Sequence, residues 1–261
     1  MTATMSSVRV GHDEAASIAL EDRGPFGPPL GEPLDGPMAT AGLRLWQSAD
    51  GRVQTRLWSC TEGRFRTAFE DDEGEFVWVV SGSLICAEDG GPTTELAPGN
   101  AMLFPPGWSG EWRISGTLRK VVAGWSGGVA GEGRGVGAAL GHPRIDLAEA
   151  AAIALEPQGA VPAERTGDGP LAYRGRELWR SANGVLEAGV WEIDPGRFGA
   201  DFGGYGELIR IVSGEVECIP DDGAPRFVLC PGDWATFSRG WTGEWRMRAP
   251  LRKVYLTWAV H

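Results

Sequence analysis

Residues 107–121 read GWSGEWRISGTLRKV, and residues 240–254 read GWTGEWRMRAPLRKV. Ten of the fifteen positions are identical at an offset of 133, including two tryptophans and the Leu-Arg-Lys-Val tail. Chance does not produce a match of that density, so internal duplication is the property that organises the chain. The register extends outward. Trp46, Ser48 and Gly51 return as Trp179, Ser181 and Gly184, and Trp58, Gly63 and Phe65 return as Trp191, Gly196 and Phe198. Ser81-Gly82 answers Ser213-Gly214 at an offset of 132, which places a one-residue deletion near 71–75 and its compensation near Gly90 and Gly223. Even the approaches match, EAASIALE at 14–21 against EAAAIALE at 149–156. The chain is therefore two copies of one domain, each large enough to bury a core.

The text within each copy is β-like. In the first, 43–47 and 53–60 flank an Ala-Asp-Gly turn and read as a hairpin, and 76–80 (FVWVV) is apolar on both faces, as a central strand ending at Ser81-Gly82 would be. Further strands at 83–87, 93–96, 101–104, 110–114 and 118–125 follow at short spacing. Forty glycines, eighteen prolines and twelve tryptophans fit many tight turns around aromatic filling, and no long amphipathic helix is present. The Gly/Pro stretch 24–31 is unsuited to a sheet interior and reads as an arm over a barrel, and 127–141 is a Gly-rich connector without a phosphate-loop pattern. The expected organisation is an arm at 1–39, a first domain at 40–126, a connector and second arm at 127–171, and a second domain at 172–261.

A net charge of −11 with no Lys/Arg-rich run disfavours nucleic acid and anionic membrane surfaces as partners. Residues 1–10 lack the apolar core of a secretory signal and no stretch is apolar enough to span a bilayer, so a soluble cytoplasmic protein is expected. Cys60, Cys86, Cys218 and Cys230 form no CxxC pair or zinc spacing and read as reduced, buried thiols. The expected partner is a small-molecule ligand, and a homodimer is left open.

Gly63, Glu75, Gly82, Pro98-Gly99, Pro105 and Gly107 fall where the two cupin motifs place their glycines, acid and prolines, and Gly196, Glu207, Gly214, Pro231-Gly232 and Gly240 repeat them. The chain resembles a bicupin, most closely the cupin subfamily that includes ureidoglycine aminohydrolase and an ethanolamine-utilisation protein. The resemblance implies an all-β fold of two tandem cupin barrels (jelly-roll, or double-stranded β-helix) related by internal duplication. Many cupins hold a divalent metal with three histidines and the motif glutamate. Those histidine positions fall here on Phe69, Asp71 and Gly110, and on Phe202, Gly204 and Gly243, with only Glu75 and Glu207 matching. Transition metals want imidazole or thiolate, so no metal cofactor is expected. The weaker alternative is a carboxylate site for Mg²⁺ or Mn²⁺ on Asp71 and Glu75.

If Glu75 and Glu207 point inward as the motif implies, burial against aromatic walls raises their pKa and suits them to acid–base work. Strand alternation puts Trp112 and Ile114 on one face and Trp245 and Met247 on its counterpart, beside volume that Gly110 and Gly243 leave empty. One member of each pair Arg119-Lys120 and Arg252-Lys253 should face the interior, as partner of the glutamate or anchor of a ligand acid group; the sequence does not say which. The acidic run 70–73 in the first copy becomes FGGYG at 202–206 in the second, where Gly203, Gly204 and Gly206 open the mouth. The second cup, lined by Phe202, Tyr205, Glu207, Trp245 and Lys253 or Arg252, is thus the expected working pocket, and Phe69, Asp71, Glu75, Trp112 and Lys120 line the first. The function expected is binding of a small polar organic metabolite, with acid–base chemistry at Glu207. The alternatives are a Mn²⁺-assisted hydrolase of the ureidoglycine type and a non-enzymatic structural bicupin.

Overall fold

A computed structural model describes residues 7–127, 144–166 and 169–259. Most of the Gly-rich connector, His142 and His261 lie outside the described residues. The all-β expectation holds: the helices among the described residues are the short His12–Ser17, Leu147–Ala152 and Ala163–Thr166, and everything else regular is strand. Among the described residues no helix is long and apolar enough to cross a membrane. The chain divides into two compact units, one built mainly from each copy.

In the unit of the first copy, Ala39–Gln47 and Val53–Cys60 form the expected hairpin. Two long strands, Gly74–Glu88 and Ser109–Trp125, pair antiparallel from Gly110 opposite Glu88 to Trp125 opposite Gly74. Each was read from sequence as two strands. They run on through a bend: Gly82, at φ +75°, turns the backbone inside the ladder, where a side chain would strike the Thr117 carbonyl, and the register slips between Ser115 and Arg119. In the second copy Pro250, which has no N–H, stands at the equivalent bend. There the ladder breaks into Gly206–Ser213 and Val216–Pro220 on one side, Thr242–Met247 and Leu251–Trp258 on the other. Among the described residues the second unit accordingly has a seven-stranded and a four-stranded sheet, and the first a ten-stranded one that spans both faces.

Each unit buries an apolar cluster. Val77, Val79, Leu84, Leu118 and Val122 fill the first with Trp108 and Trp112, and Ile209, Ile211, Val216 and Leu251 fill the second with Trp241 and Trp245. The arm at 24–31 does more than lie over a barrel. Glu21–Pro25 adds an outer strand beside Ala39–Gln47, a position that tolerates proline, and Phe26 packs at a tilt against Phe65, with ring centres 4.3 Å apart. Two leading strands join the sheet of the opposite copy's unit: Ser7–Val10 pairs with Trp234–Phe237, and Arg144–Ile145 with Ala101–Phe104. Cys60, Cys86 and Cys218 are buried free thiols, whereas Cys230 is half-buried.

Candidate functional site

The last strand of each copy decides the cup chemistry. In Leu251–Trp258 the bulge against Gly206–Ser213 sets the phase so that Leu251, Lys253 and Tyr255 point inward and Arg252 outward. Lys253 Nζ donates to both carboxylate oxygens of Glu207, at 2.7 and 2.6 Å, and lies 4.8 Å from the Trp191 ring centre and 5.1 Å from that of Trp245. Lys120 repeats this in the first copy, donating to Glu75 at 2.9 Å and facing Trp58 and Trp112 at 4.7 and 4.4 Å. All four charged residues are nearly inaccessible. The paired arginines do something else. Arg252 bonds Glu192 and the Ala150 and Ala151 carbonyls, and Arg119 bonds the Ala15 and Ile18 carbonyls, so each ties down the end of a short helix. Arg252 is therefore not part of the cup wall.

In the second unit a cavity of about 520 Å³ is lined by Phe202, Tyr205, Glu207, Trp245 and Lys253, with Glu187, Trp191 and Tyr255. The first unit has a smaller one, about 290 Å³, lined by Phe69, Glu75, Trp112 and Lys120, with Phe26 and Arg56. Asp71 is exposed and sits beside Gly107, not on this wall. Two expectations about glycine are corrected. Gly110 and Gly243 leave no void, since a Cβ there would lie 2.8 Å from the Trp108 ring and 2.6 Å from the Trp241 ring: those indoles already occupy the space. Gly206 does not open the mouth either. It lets Trp258 pack at a distance no side chain would allow, as Gly74 does for Trp125, and only Gly204 of the three faces open space.

The cups differ at a cross-strand pair beside the motif acid that sequence reasoning missed. In the first copy Arg56 stands opposite Val122; at the same positions 133 residues on, Gly189 stands opposite Tyr255. Arg56 bonds Glu75, giving that acid a second cation. Tyr255 instead turns its hydroxyl to Glu187, donating at 2.5 Å, over the space beside Gly189. Aligning the copies position by position would have exposed this exchange. A second missed signal is a census: of the 24 cationic side chains in the chain, only Lys120 and Lys253 are lysine, and 22 are arginine.

Charge follows geometry. Burial pushes Glu75 up, but Lys120 and Arg56 together outweigh it and hold the acid below its ordinary value, contrary to the expectation of a raised pKa. Burial of Glu207 is not outweighed by Lys253 alone, and Glu187 adds repulsion, so this acid is raised. Burial lowers both lysines against the pull of their glutamates. Tyr205 is raised by burial and by Glu207, so its hydroxyl stays protonated and is available as a donor on the cavity wall.

Among the described residues the donor set of a cupin metal is not assembled. No three His, Cys, Asp or Glu side chains among those residues converge, and the motif acid of each cup, Glu75 or Glu207, is already bonded to an ammonium group. His12 lies against Trp234 and its backbone N–H donates to Asp233, away from both cups.

With this geometry in view, the Cupin_3 family, described as the EutQ-like cupin domain, matches residues 47–121 and 180–255. No curated protein matches the chain in sequence. Among solved structures, a DUF861-family protein from Pseudomonas syringae pv. tomato is similar at a TM-score of 0.72 and 15% identity, over 97% of this chain and 99% of its own. A cupin 2 conserved barrel domain protein from Leptotrichia buccalis is similar at 0.56 and 10% identity, over 93% and 99%. Protein Ylba of E. coli, also of DUF861, is similar at 0.54 and 12% identity, over 99% and 93%. At these identities the structural matches speak to the fold alone.

Proposed function

This chain belongs to the EutQ-like cupin domain family, in two copies, and from that premise we propose that it binds a small polar organic metabolite in the second cup, without a transition metal, and that Glu207 exchanges protons with that ligand. The observation that carries this reading is the exchange of Arg56 for Gly189. It leaves Glu207 with one cation instead of two, beside a cavity of about 520 Å³, within the range of small-molecule sites. A raised, buried carboxyl is able to hold a proton and release it to a ligand atom within hydrogen-bond reach. Lys253 holds both carboxylate oxygens and so orients it, while Tyr205 offers a hydroxyl from the wall. The aromatic rings Phe202, Trp191 and Trp245 exclude water from the acid and supply apolar contact. In the first cup the guanidinium of Arg56 takes part of the corresponding space and keeps Glu75 ionised, which suits a structural ion pair.

The test is release of bound metabolite. Wild-type protein, Glu207→Gln and Glu75→Gln are purified from cells under native conditions, denatured, and the small molecules released are compared by mass spectrometry. A compound carried by wild type and Glu75→Gln and depleted in Glu207→Gln supports the second cup. Equal depletion in both variants, or depletion in Glu75→Gln alone, refutes it. Chemistry that appears only on adding Mn²⁺ selects the aminohydrolase-type reading instead.

A further inference from the structure

Resting on the second cup as the ligand site, we propose that Lys253 is a covalent nucleophile that forms an iminium with small aldehydes or ketones, with Glu207 as its proton shuttle. The lysine census is the first observation. This chain meets every other need for a cation with arginine, yet puts lysine at the floor of both cups. A guanidinium pairs with a carboxylate as well as an ammonium does, but only the amine has a nucleophilic state in reach. The second observation is placement: Lys253 Nζ lies on the cavity wall, within 2.7 Å of both oxygens of its acid.

The step balances within the site. Ammonium Lys253 passes a proton to Glu207, and the neutral amine attacks the carbonyl carbon, forming the C–N bond as the C=O electron pair moves to oxygen. Glu207 returns its proton to that oxygen, giving a carbinolamine that still carries two hydrogens on nitrogen. It then takes one of them and delivers it to the hydroxyl as the C–O bond breaks. Water leaves, the nitrogen lone pair forms C=N, and Glu207 ends as carboxylate. Of the three protons on the ammonium, two depart in the water and one remains on the iminium. The site begins and ends with one cation between Trp191 and Trp245, so rings that favour the ammonium favour the product as well. No oxidant or reductant is consumed. Burial, which opposes charge on Lys253 and on Glu207 alike, lowers the cost of the first transfer.

Lys120 is the internal control. Glu75 is bonded to both Lys120 and Arg56, which keeps that carboxylate from accepting a proton, and the cavity beside it is the smaller. The experiment is clean because the chain has just these two lysines besides its N-terminal amine. Full-length protein is incubated with sodium cyanoborohydride and either pyruvate or propanal, and adducts are located by intact mass and peptide mapping. Without reductant, tryptophan fluorescence reports binding of the same two compounds. The expected result is a single adduct on Lys253 with at least one compound, lost in Lys253→Arg and retained in Lys120→Arg. An adduct on Lys120 as abundant as that on Lys253 overturns the assignment, and mapping of the wild type decides this even if Lys253→Arg does not fold. Saturable binding with no adduct overturns the iminium while leaving the cup reading intact. Neither binding nor adduct overturns the carbonyl assignment, and the metabolite-release test then judges the cup independently.

Discussion

Lys253→Met and Lys120→Met make the same change in two copies of one domain and should cost different amounts. Methionine keeps an unbranched stem against the tryptophan rings and removes the charge. In the second unit this strips Glu207 of the cation that bonds both its oxygens, and among the described residues no other ion pair reaches that acid. Removing one partner of a buried pair costs about 3–5 kcal/mol. In the first unit Glu75 keeps Arg56, so the loss is close to that of one charge-assisted hydrogen bond, about 1.5–3 kcal/mol. For a unit of this size 1 kcal/mol moves the midpoint by about 4 °C, which predicts drops on the order of 15 °C for Lys253→Met and 8 °C for Lys120→Met. Thermal and urea unfolding followed by circular dichroism, at several pH values, measures both. With Lys253 gone, Glu207 has a folded pKa further above its unfolded value. Its stability contribution is then complete below the unfolded value of about 4.3 and is lost as pH rises through the folded one. The Lys253→Met deficit should therefore shrink on acidification, and adding Glu207→Leu should recover most of it at neutral pH. Equal costs for the two lysines, or a larger cost for Lys120→Met, would refute the claim that Arg56 is what separates the cups.

Two further outcomes follow from the same geometry. Glu75 is lowered and Glu207 raised, so their contributions have opposite pH signs: that of Glu75 is present above the ordinary carboxylate value and lost as pH falls through its folded pKa, while that of Glu207 is present below it and lost as pH rises. Stability differences between wild type and each Glu→Gln variant, measured across this range, should slope in opposite directions, and slopes of one sign would contradict the assignment. Gly206→Ala should destabilise by about 1–3 kcal/mol, because its Cβ would lie 2.4 Å from Trp258 Nε1, whereas Gly204→Ala, facing open space, should be close to neutral in the same unfolding assay.

The duplication was legible because selection left the same tryptophans and the same Leu-Arg-Lys-Val tail at a constant offset, and strand content was legible from turn spacing. The motif glutamates and the rings beside them could be placed in the cups for the same reason. Other parts failed for identifiable causes. A glycine in a sequence reports only a missing side chain, so Gly110 and Gly243 looked like voids until Trp108 and Trp241 were seen to fill them from two residues away. Asp71 sat at a ligand-like spacing, yet its backbone puts it in an exposed turn.

By itself the sequence determined that there are two β-barrel domains of the cupin kind, that each carries an acid and an adjacent Arg-Lys pair, and that the usual histidines are replaced. Tertiary structure decided which of Arg and Lys faces inward. Alternation specifies that neighbours face opposite ways, and only the bulged register with the adjoining strand settles the phase. It also decided that Arg56 reaches Glu75 while Gly189 leaves Glu207 to Lys253 alone. Those contacts join residues 19 and 46 positions apart, and the charge state of a buried carboxyl depends on every cation that packing brings within reach of it.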